Sequence, residues 1–364
     1  MATKVARSGR LLAWWSAEVV TVIEQLQDGY DVVVIGGGAA GLNGALMLAR
    51  ARRSVLVIDA GDPRNAPAEG VHGLLARDGV PPGELLELGR AEVRGYGGAV
   101  LAGEVDAVTG AADGFVVTST DGRTVRARRL LVTTGLVDEL PEIPGLSARW
   151  GRDLVHCPYC HGWEVRDQAI GVLATGPMAV HQALLFRQLS SDVVFFAHTT
   201  APPVGEAAEQ LAARGIRVVP GEVAGLVVTD DRLAGVRLSD GTVVERAVLA
   251  VQPTMVARAG FLDGIGLRAV AHPSGLGVHL PVDAAGRTEV AGVWAAGNVT
   301  DPAAQVGTAA AAGAFAAAQL NADLVGADTR AAVAAYRRSV EYPFSARNEA
   351  RVAELVAAER RHGL

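Results

Sequence analysis

The 364-residue chain predicts an α/β fold of two Rossmann-like (three-layer ββα) nucleotide-binding domains, the second inserted in the first. Three observations predict it. From Tyr30, "YDVVVIGGGAAGLNGALMLARARRSVLVIDAG" runs as strand, glycine turn, helix and strand. From Ala169, "AIGVLATGPMAVHQALLFRQLSSDVVFFAH" repeats that order more weakly. Each run is followed by a hairpin whose turn is an Asp-Gly pair, Asp121-Gly122 and then Asp240-Gly241.

The elements follow from their residues. The β-branched run after Tyr30 is a strand; three glycines then open a helix of small and apolar residues, and a second strand ends at Asp59. The linkers "LPEIPG" (Leu140 to Gly145) and "VQP" (Val251 to Pro253) are where the chain crosses between domains. Beyond the second crossing, "TEVAGVWAAGNVTD" and an alanine-rich stretch predict a strand, a polar turn and a long helix that return to the first domain. This divides the chain into an extension (1–28), a first domain in two segments (29–143 and 253–325), an inserted domain (144–252) and a helical tail (326–364) broken at Pro343.

Half the residues are hydrophobic and a fifth are charged, enough for at least one large core. A net charge of -6 argues against general binding to nucleic acid or anionic membranes, which needs clustered basic surface. Lys4, Arg7 and Arg10 precede "LLAWWSAEVVTVI" in the manner of a secretory signal, but Glu18 interrupts the apolar run. An amphipathic helix with Leu12, Trp15, Val19, Val22 and Leu26 near one face is the favoured reading. No transmembrane helix is expected, and the protein reads as cytoplasmic.

Gly36, Gly38 and Gly41 satisfy G-x-G-x-x-G between strand and helix, which lets backbone N–H groups and a helix N-terminus approach a pyrophosphate. Asp59, closing the next strand, is placed to accept from ribose hydroxyls. Both cysteines lie in "HCPYCHGW", His156 to Trp163. Two cysteines cannot staple a chain this long, so redox or metal chemistry in a reducing compartment is the choice. Thiols at C-x-x-C spacing open and close a disulfide reversibly. A metal site would add His156 and His161, but zinc sites draw a second ligand pair from a separate segment, so no metal is expected.

An N-terminal G-x-G-x-x-G, a CxxC in an inserted nucleotide-fold domain and a late "AAGN" turn before an alanine-rich helix together resemble the low-molecular-weight thioredoxin reductase family, over Tyr30 to Leu324. The resemblance implies FAD on the first domain, with Gly36, Gly38 and Gly41 cradling its pyrophosphate and Asp59 near its adenosine ribose. Asn65 and Gly135 would line the flavin side, and Gly297 and Asn298 would form the "AAGN" turn. The family has aspartate where Asn298 stands; asparagine can still hydrogen-bond a ribityl hydroxyl. Gln305 and Val306 would begin the last helix, whose dipole stabilises negative charge on a reduced ring.

The family's CxxC is followed by aspartate and glycine; here His161 and Gly162 follow. That departure resembles a CxxCHG branch that includes the dithiol oxidases closing disulfides in gliotoxin- and holomycin-type natural products. By this resemblance Cys160 is the sulfur next to the flavin, Cys157 exchanges with substrate and His161 shuttles protons; the bland reading of His161 is a residue packing at a helix start. His156 reads as structural, and Tyr159 and Trp163 either shape the approach or pack in the core.

The second fingerprint, "LATGPMAV", has Ala174 for its first glycine, keeps Gly176 and ends on Ala179. After the next strand the family shows arginines, but this chain reads His198, Thr199, Thr200, so neither NADPH nor NADH has its usual ribose partner. Arg187, more distant in the sequence, is a candidate to compensate. Three functions stay open: an FAD-dependent dithiol oxidase acting on a small dithiol with electrons passing to O2; an NAD(P)H-dependent reductase of a thioredoxin-like protein; and a flavin-binding redox sensor. The resemblance also implies a homodimer.

Overall fold

Strand β1 (Gly29–Ile35), helix α1 (Ala39–Arg50) and strand β2 (Val55–Asp59) make the first βαβ unit of the computed structural model, which describes residues 27–340 and 346–359. Val32 to Ile35 run parallel to Val55 to Ile58. Helix α2 (Pro82–Gly95) leads to β3 (Ala99–Ala102), and the meander β4 (Val105–Ala111), β5 (Gly114–Ser119) and β6 (Thr124–Val132) completes the run, in the order β3-β2-β1-β6-β5-β4.

The chain then leaves through β7 (Leu136–Glu139). In the second unit come β8 (Leu154–Val155), α3 (Pro158–His161), β9 (Ile170–Leu173), α4 (Ala179–Phe186), β10 (Val193–Phe196), α5 (Glu206–Ala213) and β11 (Arg217–Val219). Strands β12 (Val223–Thr229), β13 (Arg232–Leu238) and β14 (Val243–Glu245) form a separate antiparallel sheet, and β15 (Val248–Val251) joins a parallel one of order β11-β10-β9-β15-β8. All residues of β9, β10 and β15 are buried, as expected of parallel strands covered on both faces.

The return strand β16 (Thr254–Ala257) pairs antiparallel with β7, Leu136 opposite Ala257 and Glu139 opposite Thr254, so the two crossings lie side by side. Short strands β17 (Val270–Ala271) and β18 (Gly277–His279) extend that sheet. Strand β19 (Val293–Ala295) then pairs with the C-terminal half of β6. This gives the α/β architecture of two Rossmann-type sheets, the second inserted in the first.

Alternation along β1 sorts its side chains between two cores. Val33 and Ile35 face Phe115, Val117 and Leu262, while Val32 and Val34 face Leu42, Leu48 and Leu320. Each such fully buried side chain contributes roughly 1.5–3 kcal/mol. The last described helices are α6 (Val306–Val340) and α7 (Ala346–Glu359). Helix α6 crosses α1 at contact distance because both carry glycine there: a Cβ on Gly313 would stand 2.0 Å from the Ala40 carbonyl oxygen, and one on Gly44 3.1 Å from the Gly313 carbonyl oxygen.

Helix α6 runs without interruption through the expected start of the tail at 326. Ion pairs tie this continuing helix to the first sheet, with Asp328 holding Arg53 at 2.8 Å and Arg128 at 2.5 Å. The helix expected over Leu12 to Leu26 and the break at Pro343 lie outside the described residues. Among the described residues no helix is long and apolar enough to cross a membrane.

Candidate functional site

The glycine turn after β1 is built so that side chains cannot enter it. Gly36 takes φ +101°, and a Cβ there would lie 2.5 Å from the Thr133 carbonyl oxygen. Its N–H donates to Ile58 O at 2.8 Å and its own carbonyl accepts from Thr133 Oγ1 at 2.8 Å. Gly38 caps α1, and Gly41 lets α1 close on the turn. Asp59 accepts the Gly37 N–H at 3.0 Å and pairs with Arg90 at 3.1 Å.

A cavity of about 350 Å³ opens in front of this turn. Gly36, Gly38, Asp59, Asn65 and Gly135 line it from the first unit, and Gly297, Asn298, Gln305 and Val306 from the returning segment. Cys157, Cys160 and His161 line it from the second unit. Gly41 alone of the expected site residues lies behind the wall, supporting the turn.

Pro158 starts α3, where a missing N–H costs nothing, and the Cys157 carbonyl accepts from the N–H groups of Cys160 (3.2 Å) and His161 (3.1 Å). That single turn brings the sulfurs together as a Cys157–Cys160 disulfide with Cα atoms 5.3 Å apart. Gly162 is required by packing: a Cβ would stand 2.1 Å from Pro158 O and 2.3 Å from Leu189. His161 Nε2 is buried with no hydrogen-bond partner among the described residues. Burial lowers its pKa, with Glu164 opposing and His72 adding to the effect, so the imidazole is a neutral base near pH 7.

His156 is held differently. Its Nδ1 donates to Val251 O at 3.2 Å and its carbonyl accepts from Gln182 Nε2 at 2.8 Å. Burial, with Arg64 adding, pushes its pKa down to about 4. The unfolded chain therefore binds a proton that the fold excludes, and stability falls as pH drops from about 6.5 to about 4. The loss is on the order of 3 kcal/mol. Urea midpoints measured at pH 7 and pH 4.5 should show it, and His156→Gln should flatten that part of the slope.

Asn298 also has a structural role. Its Nδ2 donates to the carbonyls of Asp301 (3.1 Å), Pro302 (3.3 Å) and Ala304 (2.9 Å), so the amide N–H groups staple the turn before Gln305. An aspartate has no N–H to do this, which gives the asparagine a reason of its own.

The crevice of the second unit, about 360 Å³, is lined by Glu139, Thr175, Gly176, Pro177, His198 and Thr199 among others, and by no arginine or lysine among the described residues. Arg187, the candidate for compensation, instead donates to Arg214 O and Ser190 O. The Ala174 N–H donates to Phe196 O as Gly36 does to Ile58 O, but a buried methyl group stands where the first turn has none. His198 Nδ1 accepts the Val223 N–H at 3.0 Å, which ties the turn after β10 to β12.

A family model described as pyridine nucleotide-disulphide oxidoreductase matches residues 30–318. The chain belongs to that family. It is an FAD-dependent disulfide oxidoreductase of thioredoxin reductase type. The thioredoxin reductase tcpT of Claviceps purpurea is 34% identical over 280 residues, 74% of this chain and 86% of its own. The thioredoxin reductase sirT of Leptosphaeria maculans is 29% identical, covering 83% and 96%. Among solved structures, HlmI is 49% identical with a TM-score of 0.80, covering 86% of this chain and 98% of its own.

The cavity fits FAD by its own features. The glycine turn leaves room for phosphate at the α1 N-terminus, and the buried, unpartnered His161 Nε2 belongs to a cavity wall. Gly36, Gly38, Asp59, Asn65, Gly135, Gly297, Asn298, Gln305 and Val306 are the residues that would hold it.

Four side chains at this site carry no local sequence signal. Arg64 forms a bidentate pair with Asp138 of β7, both distances 2.7 Å, and His72 approaches Glu164 to 3.5 Å. Each pair joins segments far apart in the chain, so no spacing rule could have found it.

Proposed function

We propose that the protein is a dithiol oxidase that closes a disulfide in a small-molecule substrate. The contrast between the two crevices carries this reading: the first joins a glycine cradle to a disulfide and a neutral histidine, whereas the second has no arginine or lysine among its described lining residues to meet a dinucleotide phosphate. The name of the tcpT and sirT relatives, thioredoxin reductase, favours the opposite direction of electron flow. That direction needs a nicotinamide donor, for which the second crevice is poorly furnished.

A substrate thiolate attacks Cys157 Sγ, the Cys157–Cys160 bond breaks, and the electron pair leaves on Cys160 Sγ. The second substrate thiolate then attacks the substrate sulfur of the mixed disulfide, which forms the product disulfide and releases Cys157. The substrate has lost two electrons and two protons, and the cysteine pair has gained the electrons. His161 takes the thiol proton that makes each attacking thiolate. FAD, when bound, would supply the two-electron acceptor for re-forming the Cys157–Cys160 disulfide, with molecular oxygen as the final oxidant.

Anaerobic mixing of the yellow protein with dithiothreitol or NADPH tests this. Rapid bleaching by the dithiol alone, with peroxide formed on admitting air, is the expected result; bleaching by NADPH instead would reverse the direction. His161→Gln should slow bleaching by about 10²–10⁴-fold. In the unmodified protein the rate should fall as pH drops through the depressed pKa of His161, because the base is then protonated.

A further inference from the structure

Helix α2 carries an arginine on its inner face. Leu86, Gly89, Arg90 and Val93 recur at the spacing of one side of a helix, and Leu86 and Val93 are buried. Gly89 lets that side close on α1, since a Cβ there would stand 3.0 Å from Leu42 Cδ1. Leu88 is 41% exposed, whereas the Arg90 side chain is only 16% exposed. A guanidinium drawn this far out of water needs partners. Its NH2 donates to Asp59 Oδ2 at 3.1 Å and its NH1 to Glu87 Oε1 at 2.7 Å.

Asp59 lines the FAD cavity at the end of β2, and Arg90 is not among the described residues that do. The two carboxylate oxygens of Asp59 are held by different elements: Oδ1 accepts the Gly37 N–H of the glycine turn at 3.0 Å, and Oδ2 accepts from Arg90 of α2. A carboxylate has about four acceptor positions, so these two bonds leave a pair for the vicinal hydroxyls of a ribose. Without the second donor the carboxylate turns freely about its Cβ–Cγ bond, and its charge stands unbalanced beside a cofactor that is itself anionic. The Asp59 side chain is also only 16% exposed, so water is a poor substitute for the lost partner.

We propose that Arg90 is a positioning residue for FAD, which fixes the Asp59 carboxylate, and through it the Gly37 N–H, in the setting that receives the adenosine ribose. It acts through Asp59 and not by touching the cofactor. It rests on Asp59 as the ribose acceptor and is independent of the direction of electron flow at the cysteine pair. Two consequences separate it from a simple tie between α2 and β2. The effect of Arg90 is confined to flavins that carry an adenosine half, and it vanishes once the Asp59 carboxylate is gone.

The test titrates the full chain, stripped of flavin, with FAD and with FMN, which lacks the adenosine half, and reads binding from the quenching of flavin fluorescence. Arg90→Met should weaken FAD binding by on the order of tenfold, as expected for a lost hydrogen bond to a charged group, and leave FMN binding unchanged. Arg90→Lys keeps a charged donor for Asp59 and should recover most of that loss. Asp59→Asn should weaken FAD binding at least as much, and adding Arg90→Met to it should weaken binding no further, because the two side chains act through one contact. Should Arg90→Met not fold, Arg90→Gln carries the same comparison. An equal fall for FAD and FMN, losses that multiply in the double variant, or FAD binding that Arg90→Met leaves unchanged would each overturn the proposal. If Asp59→Asn binds FAD as the unmodified protein does, the ribose reading of Asp59 fails, and Arg90 has nothing to position.

Discussion

Cys157→Ser and Cys160→Ser are each expected to reduce dithiol turnover by on the order of 10³-fold or more, because an alkoxide cannot replace the sulfur that forms and breaks the bond. The double variant should be no worse than either single one, since the two sulfurs act as one redox unit and their losses are not additive. Both variants should bind FAD normally, as neither cysteine belongs to the glycine turn. Peroxide formed per minute from dithiothreitol, beside the flavin-to-protein absorbance ratio, measures both. A single variant that keeps a tenth of the activity would remove the disulfide from the mechanism.

Gly41→Val should yield protein with little or no bound flavin. A Cβ at this position stands 1.9 Å from Gly36 O and 2.6 Å from Thr133 Oγ1, and those atoms are bonded to each other and cannot move apart freely. Overpacking of this kind costs about 1–3 kcal/mol or more. It also forces α1 away from the turn, so its N-terminal N–H groups no longer converge on the phosphate position. Gly38→Ala is the contrasting case. Its Cβ meets no protein atom within 4 Å and its φ is -76°, so the fold should melt at an unchanged temperature while the methyl group projects where phosphate would approach. Gly41→Val protein with a full flavin complement would show that this close approach is not what holds the turn.

Much of the fold was legible because its signals are local. The β-branched run before Gly36, the small residues of α1 and the Asp-Gly turns each specify a backbone conformation within a few residues. The second crevice was read in the same way, from Ala174 and from Thr199 and Thr200 where arginine was expected. Asn298 was less legible. Its residue type suggested a weakened ligand contact, and only the positions of three carbonyls show that its amide staples a turn. The length of α6 was not legible either, because the partners of Asp328 lie on β6 and after α1, far back in the chain.

By itself the order of residues determined that this chain would fold as paired nucleotide-binding units with a redox-active cysteine pair, since glycine dihedrals, strand periodicity and C-x-x-C spacing act over one or two turns of backbone. Tertiary structure alone decided that His72 meets Glu164, that Arg64 grips Asp138 and that β7 lies against β16. Those contacts depend on where packed sheets and helices aim side chains that are distant in the chain, and no local pattern carries that information.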